Sequence, residues 1–133
     1  MFMKSFEHVY KELEDLFIQK LPRYIEKINK EHNDGILLKR FENRTLEEDC
    51  IKKPCFKFFL EESEYSEKDR IIENNIFSFR LELKLVSETN AKTIHFWRYV
   101  EAINKMLIEE YVNWENVAIV KVQETLIRLR IIT

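Results

Sequence analysis

Five apolar residues at every second position, Phe77, Phe79, Leu81, Leu83 and Leu85, alternate with Ser78, Arg80, Glu82 and Lys84, and nothing else in this chain constrains the fold as tightly. A strand turns successive side chains to opposite faces, so this pattern predicts a strand over Ile76–Val86 with one buried face and one exposed face. A one-sided strand needs a covering layer, and helical periodicity on both sides of it supplies one. Across residues 5–30, Phe6, Tyr10, Leu13, Phe17, Leu21, Tyr24 and Ile28 recur at three- and four-residue steps. Across residues 91–111, Trp97, Val100, Ile103, Leu107 and Tyr111 form an inward stripe widened by Phe96 and Ile108, while Lys92, His95, Arg98, Glu101, Lys105 and Glu109 face outward.

The other segments are read from shorter signals. Ser5 suits the start of the first helix, and Pro22, which lacks an amide donor and clashes with the preceding turn, predicts a kink or break near Leu21. Asn33-Asp34-Gly35 is turn chemistry, Ile36–Phe41 reads as a short first strand, and Asn43–Lys53 as a loop or helical turn. Behind Pro54, Phe56–Glu61 reads as the second strand. The charged run Glu61–Asn75 holds no periodic apolar set and reads as a long hairpin loop, with Tyr65, Ile71 and Ile72 as anchors. Ser87–Asn90 offers capping residues for the second helix, and Asn113–Asn116 is a turn. Val117–Ile132 is rich in β-branched residues and is one long strand, or a hairpin broken near Gln123-Glu124. The expectation is a single α+β domain over residues 1–133: one mixed or antiparallel sheet of about four strands with two helices packed on one face, in the order α-β-β-β-α-β.

Composition excludes several functions. The single glycine, Gly35, compares with about nine expected at average usage. Phosphate-cradling loops need several glycines at fixed spacing, so neither a Walker loop nor a dinucleotide fingerprint fits. Net charge is −2, which gives no overall field for nucleic acid or an anionic membrane. No apolar run approaches the roughly 20 residues of a membrane span, and the N-terminus lacks signal-peptide character, so the chain reads as intracellular. Two cysteines, Cys50 and Cys55, fit a reducing compartment without a disulfide framework.

Side chains with catalytic or metal-binding potential are scattered. His8, His32 and His95 lie on separate elements, and the His8–Glu12 pair offers too few ligands for a closed metal site. Cys55 beside Phe56 reads as a small apolar residue at a strand start. Glu47, Glu48 and Asp49, and then Glu61, Glu62, Glu64 and Glu67, form acidic clusters in expected loops. Lys57-Phe58-Phe59 and Phe79-Arg80 place basic residues beside aromatics, but the glycine that separates stacking aromatics in RNA-recognition strands is missing, and the alternation marks core positions. No catalytic set, metal or cofactor is expected.

Four features together resemble the small tail-terminator and head–tail joining proteins of long-tailed bacteriophages and prophages. They are the proline-bearing helix Leu16-Phe17-Ile18-Gln19-Lys20-Leu21-Pro22, continued by Tyr24-Ile25-Glu26-Lys27-Ile28-Asn29; the exit Asn33-Asp34-Gly35-Ile36; the proline-led strand Pro54-Cys55-Phe56-Lys57-Phe58; and the alternating strand leading to the helix Trp97–Tyr111 and a terminal strand. The resemblance spans nearly the whole chain and lies in element order and pattern. It implies a non-enzymatic subunit, made in the bacterial cytoplasm and built into the virion tail or neck. There a ring of copies, usually a hexamer, caps the tail-tube protein and meets the head connector, with DNA only as passing cargo and no membrane. On that reading Phe59, Leu126, Arg128 and Arg130 are candidate subunit-interface residues, with the arginines meeting Glu61 or Glu64 of a neighbour. Glu61, Glu62, Glu64 and Glu67 form a candidate acidic loop facing the lumen. The alternative is a small α+β module binding a ligand or nucleic acid as a monomer or dimer, with a basic groove on the sheet as its mark.

Overall fold

The computed structural model describes residues 5–68, 71–86, 92–110, 114 and 116–133, with the side chains of residues 65–68 and 71–74 outside that description. The N-terminal helical segment comprises α1 (Phe6–Glu14), a π-helical turn (Asp15–Lys20) and α2 (Leu21–His32). After an irregular connection come β1 (Cys55–Lys68), β2 (Ile71–Lys84), α3 (Lys92–Glu110), β3 (Asn116–Gln123) and β4 (Leu126–Ile132). The four strands form one antiparallel sheet in the order β1-β2-β4-β3, and both helical segments cover the same face of it. The architecture is the α+β class with a four-stranded sheet, although the connectivity departs from the expected order.

Three segments set the order and extent of the strands. Ile36–Phe41 is not a strand. The Asn29 side chain takes the place of a pairing partner there: its Oδ1 accepts from the Leu38 amide at 2.8 Å and its Nδ2 donates to the Leu38 carbonyl at 2.9 Å. The terminal β-rich segment takes the second of its two expected forms, a hairpin, turning at Glu124-Thr125 with Glu124 at φ 51, so it contributes two strands. Finally, the acidic run 61–75 is not a loop. β1 and β2 stay paired from Cys55↔Lys84 to Lys68↔Ile71, past a bulge at Glu61. The alternation that marks a strand disappears there because Glu61, Glu62, Ser63 and Glu64 are exposed on both faces, while the backbone ladder needs no apolar side chains.

The N-terminal segment accommodates Pro22 through the π turn. The Leu21 amide reaches back five residues to the Leu16 carbonyl, and Pro22 falls in the first turn of α2, where its missing donor costs nothing. Ser5 caps α1, its hydroxyl accepting from the His8 amide at 3.4 Å. α2 stops at Asn33, which takes the left-handed conformation at φ 40.

Between the layers lies a slab of rings. Phe17 packs edge-on against Phe56 and Phe58, with centroids 5.6 and 5.3 Å away. Phe79 meets Phe58 at 5.3 Å and, from α1, Phe6 at 6.3 Å. Phe77, Phe79, Leu81 and Leu83 are all buried, as their alternation requires. The face of α3 differs from expectation. Phe96, Tyr99, Val100, Ala102, Ile103, Met106 and Leu107 are buried, whereas Trp97 is 52% exposed and Ile108 60% exposed. Arg98, expected outside, is 8% exposed. The helix is rolled because the irregular connection offers polar partners to Arg98 and Tyr99. The Arg98 guanidinium donates to the Asp34 carboxylate at 2.5 and 3.0 Å and to the Ile36 carbonyl at 3.2 Å. The Tyr99 hydroxyl donates to the Lys39 carbonyl at 2.5 Å. Tyr111 and the capping segment Ser87–Asn90 lie outside the described residues, as do the side chains of Tyr65, Ile71 and Ile72.

The cysteines are also paired. Cys50 and Cys55 form a disulfide with Cα atoms 5.7 Å apart, within the usual span for such a bond. The tight bend at residues 52–54 brings the two together, a geometry invisible in a spacing that matches no redox or metal motif. The cysteines therefore give no support for a reducing compartment.

Phe79→Ala should cost about 3–5 kcal/mol in urea denaturation, as for any large buried aromatic, while Trp97→Ala should cost less than about 1 kcal/mol. The reverse ranking would mean the rolled face of α3 is wrong. Arg98 holds the Asp34 carboxyl well below the usual carboxylate range. A depressed folded-state pKa contributes stability above the unfolded value of about 3.9, and this is lost as pH falls through the folded value. Asp34→Asn should thus lower the melting temperature at pH 7, and the gap from the parent protein should close as pH drops below about 4. A gap independent of pH would show that the ion pair contributes nothing.

Candidate functional site

The face of the sheet opposite the helices carries the side chains that the alternation turns outward: Lys57 and Phe59 from β1, Ser78, Arg80 and Glu82 from β2, and Leu126, Arg128, Arg130 and Ile132 from β4. The register aligns Phe59, Arg80 and Arg128 in one row across three strands. The Arg80 guanidinium lies 4.5 Å from the Phe59 ring centroid, a cation–π contact on a ring that is 37% exposed. Arg80 Nε also stands 3.4 Å from the Glu82 carboxylate.

All four candidate interface residues, Phe59, Leu126, Arg128 and Arg130, therefore share this face. Only Phe59 lies on an edge strand. β4 is interior, between β2 and β3, so β1 and β3 are the edge strands. The arginines differ from one another. Arg128 Nε donates to Glu61 of the same chain at 3.1 Å, because the bulge at Glu61 swings that carboxylate across β2. Arg130 is exposed and has no acidic partner among the described residues. Pairing with Glu61, expected between subunits, is thus satisfied within one.

Of the acidic residues, Glu62 and Glu64 share the outer face two positions apart, and Glu64 pushes the Glu62 pKa up through a shared hydrogen bond and charge repulsion. The Glu67 side chain lies outside the described residues. These carboxylates belong to strand β1 rather than to a loop. The ladder runs on past Ile76↔Ile132 to Asn75, whose amide and carbonyl exchange hydrogen bonds with Thr133 at 3.2 and 2.9 Å, and beyond Asn75 β1 and β2 continue as a two-stranded ribbon to Lys68↔Ile71.

The histidines stay apart. His8 lies beside Ser5, with Nδ1 3.0 Å from its hydroxyl, and His32 pairs with Glu101 at 3.2 Å. No group of three or more His, Cys, Asp or Glu side chains among the described residues is placed to hold a metal ion. Between α2 and the end of α3, Tyr24 lies 2.7 Å from Glu109 and 3.0 Å from Glu110, and Lys20 reaches Glu110 at 3.1 Å. Burial, followed by the two carboxylates, raises the Tyr24 pKa, and the cluster ties α2 to the end of α3 by hydrogen bonds.

A feature not read from the sequence lies at the other end of α3. Leu37, Lys39, Pro54, Leu85, Val86, Lys92, His95 and Tyr99 line a cavity of about 120 Å³. It adjoins a groove of about 420 Å³ that shares Leu85, Val86 and Lys92 and continues along Phe96 and Trp97 to Glu124. Burial, then the charge of Arg98, pushes the His95 pKa down, favouring the neutral ring. The cavity draws on four separate segments, so no local spacing could have revealed it. Exposed Trp97, assigned to the core from periodicity, was the one residue whose placement would have pointed to it.

Among the described residues no helix is long and apolar enough to cross a membrane. Comparison with family models, with curated proteins and with solved structures finds no match.

Exposed ion pairs contribute little, so Arg128→Gln should change the unfolding free energy by less than about 1 kcal/mol. A larger loss in denaturant titration would mean the Arg128–Glu61 contact supports the fold rather than decorating its surface.

Proposed function

We propose that this chain is a structural subunit of a phage or prophage tail or neck, acting by assembly rather than catalysis. In this reading its copies form a ring that caps the tail tube and joins it to the head connector. One observation carries the reading: the β1–β2 ribbon outruns the rest of the sheet. A two-stranded ribbon is marginal by itself in water and gains stability by packing against something else. A subunit that extends such an arm is suited to a neighbour that receives it.

Two further features support assembly. β1 and β3 are the edge strands, and although Asn43 caps the β1 edge at Phe56, a strand edge can add a strand from another chain. The outer face, which no described helix covers, mixes an exposed ring, Phe59, with Arg130, a cation without an acidic partner among the described residues. A ring needs a heterologous contact, in which one patch meets a different patch on the neighbour. Phe59, Leu126 and Arg130 form one such patch, and Glu62 and Glu64 the complementary charge. Carboxylates left facing the lumen would repel DNA passing as cargo, keeping it from adhering to the wall.

Electron microscopy of the purified protein, alone and mixed with tail tubes, tests the proposal. The unmodified protein should form rings on tube ends. Arg128→Gln/Arg130→Glu should stay folded yet leave the tubes uncapped. Normal capping by the double variant would sink the interface, and an unmodified protein that forms no ring with any tail component would sink the function.

A further inference from the structure

The cleft beside α3 combines two properties that seldom coincide on a surface with no ligand to accommodate. Its walls are apolar, with Leu37, Pro54, Leu85, Val86 and the Tyr99 ring around the cavity and Phe96 and Trp97 along the groove. Its rim is cationic. Lys39 and Lys92 both line the cavity, and neither ammonium has an ion-pair partner among the described residues, although the chain has 24 acidic residues against 22 basic ones. Arg98, on the same helix as Lys92, is by contrast neutralised by Asp34. Among the described residues, the carboxylate that lines the cleft, Glu124, lies in the groove and not in the cavity.

From this geometry we infer that the cleft is a binding site for a small amphipathic anion. A single negatively charged head enters the cavity between Lys39 and Lys92, and an aromatic or branched apolar body lies in the groove against Trp97. The sizes agree with that division. About 120 Å³ holds a carboxylate or sulfonate with a few attached carbons, and about 420 Å³ holds a one- or two-ring body. The His95 ring at the cavity wall supplies a neutral hydrogen-bonding nitrogen. Burying the body removes apolar surface of both ligand and Trp97 from water, and the two ammonium groups favour an anionic head over a neutral one. The site lies away from the outer sheet face, so it stands whether or not the chain forms a ring.

The test uses 8-anilinonaphthalene-1-sulfonate, an aromatic ring system with one anionic head, and its uncharged counterpart N-phenyl-1-naphthylamine. The sulfonate should bind saturably at one site per chain. In a Trp114→Phe background Trp97 is the only tryptophan left, and its emission should be quenched by transfer to the dye. Lys39→Gln/Lys92→Gln should weaken sulfonate binding roughly tenfold or more, corresponding to at least about 1.4 kcal/mol. The same variant should leave affinity for the neutral dye within about twofold. Circular dichroism on each variant confirms that it is folded. The inference is overturned if the sulfonate shows no saturable binding, if the lysine variant binds it as tightly as the parent, or if both dyes lose affinity in parallel.

Discussion

The fold depends on how the irregular stretch between α2 and β1 satisfies its backbone. Residues 33–54 form no helix or strand, yet Leu38, Phe41 and Leu46 enter the core from this stretch. Buried amides and carbonyls outside regular structure must find partners or lose the hydrogen bonds they would make with water. Here side chains fixed on regular elements, or reaching regular elements, supply them. Asn29 pairs with both polar groups of Leu38, and Asn43 does the same for Phe56, donating and accepting at 2.9 Å. Arg98 and Tyr99 bond the carbonyls of Ile36 and Lys39, and Glu14 accepts from the Leu46 amide at 3.3 Å. These bonds connect α1, α2, α3 and β1 through one stretch of chain. They also set the roll of α3, and with it the exposure of Trp97.

The outer surface follows from that arrangement. With α3 rolled toward the connection, its start leaves a cleft against Pro54 and Leu85, while no described helix covers the opposite face of the sheet. The molecule therefore has two chemically distinct surfaces. One is a recessed apolar cleft with a cationic rim, of a size for a small molecule. The other is the outer sheet face, where Arg80, Glu82, Arg128 and Arg130 surround Phe59, continuous with the β1–β2 ribbon.

How much of this was readable depends on whether burial acted locally. The alternation Phe77–Leu85 was decisive because β2 is central and covered on one face only. The same alternation in β1 and β4 turns Phe59, Leu126, Arg128 and Arg130 to the face away from the helices. The distal half of β1 was unreadable because nothing covers it, so no apolar signal accompanies the pairing. Arg98 and Trp97 exchanged roles because a guanidinium with Asp34 beside it can be buried, whereas periodicity assigns every charge to solvent. Ile36–Phe41 has strand composition and lacks strand pairing because Asn29 occupies its hydrogen bonds. The Arg128–Glu61 contact depends on a bulge, which shifts register by one residue and leaves no mark in composition.

The π turn at Asp15–Lys20 has an evolutionary meaning. Such a turn holds one residue more than an α-helix of the same rise, so it absorbs a single inserted residue without rotating the segments on either side. α1 seats Val9 and Leu13 in the core, and α2 seats Leu21, Tyr24, Ile25 and Ile28 there. The turn between them lets both sets keep their positions despite a length that does not fit the α-helical repeat. The place where this chain can gain or lose one residue at least cost is therefore inside its longest helical segment, and not only in a loop.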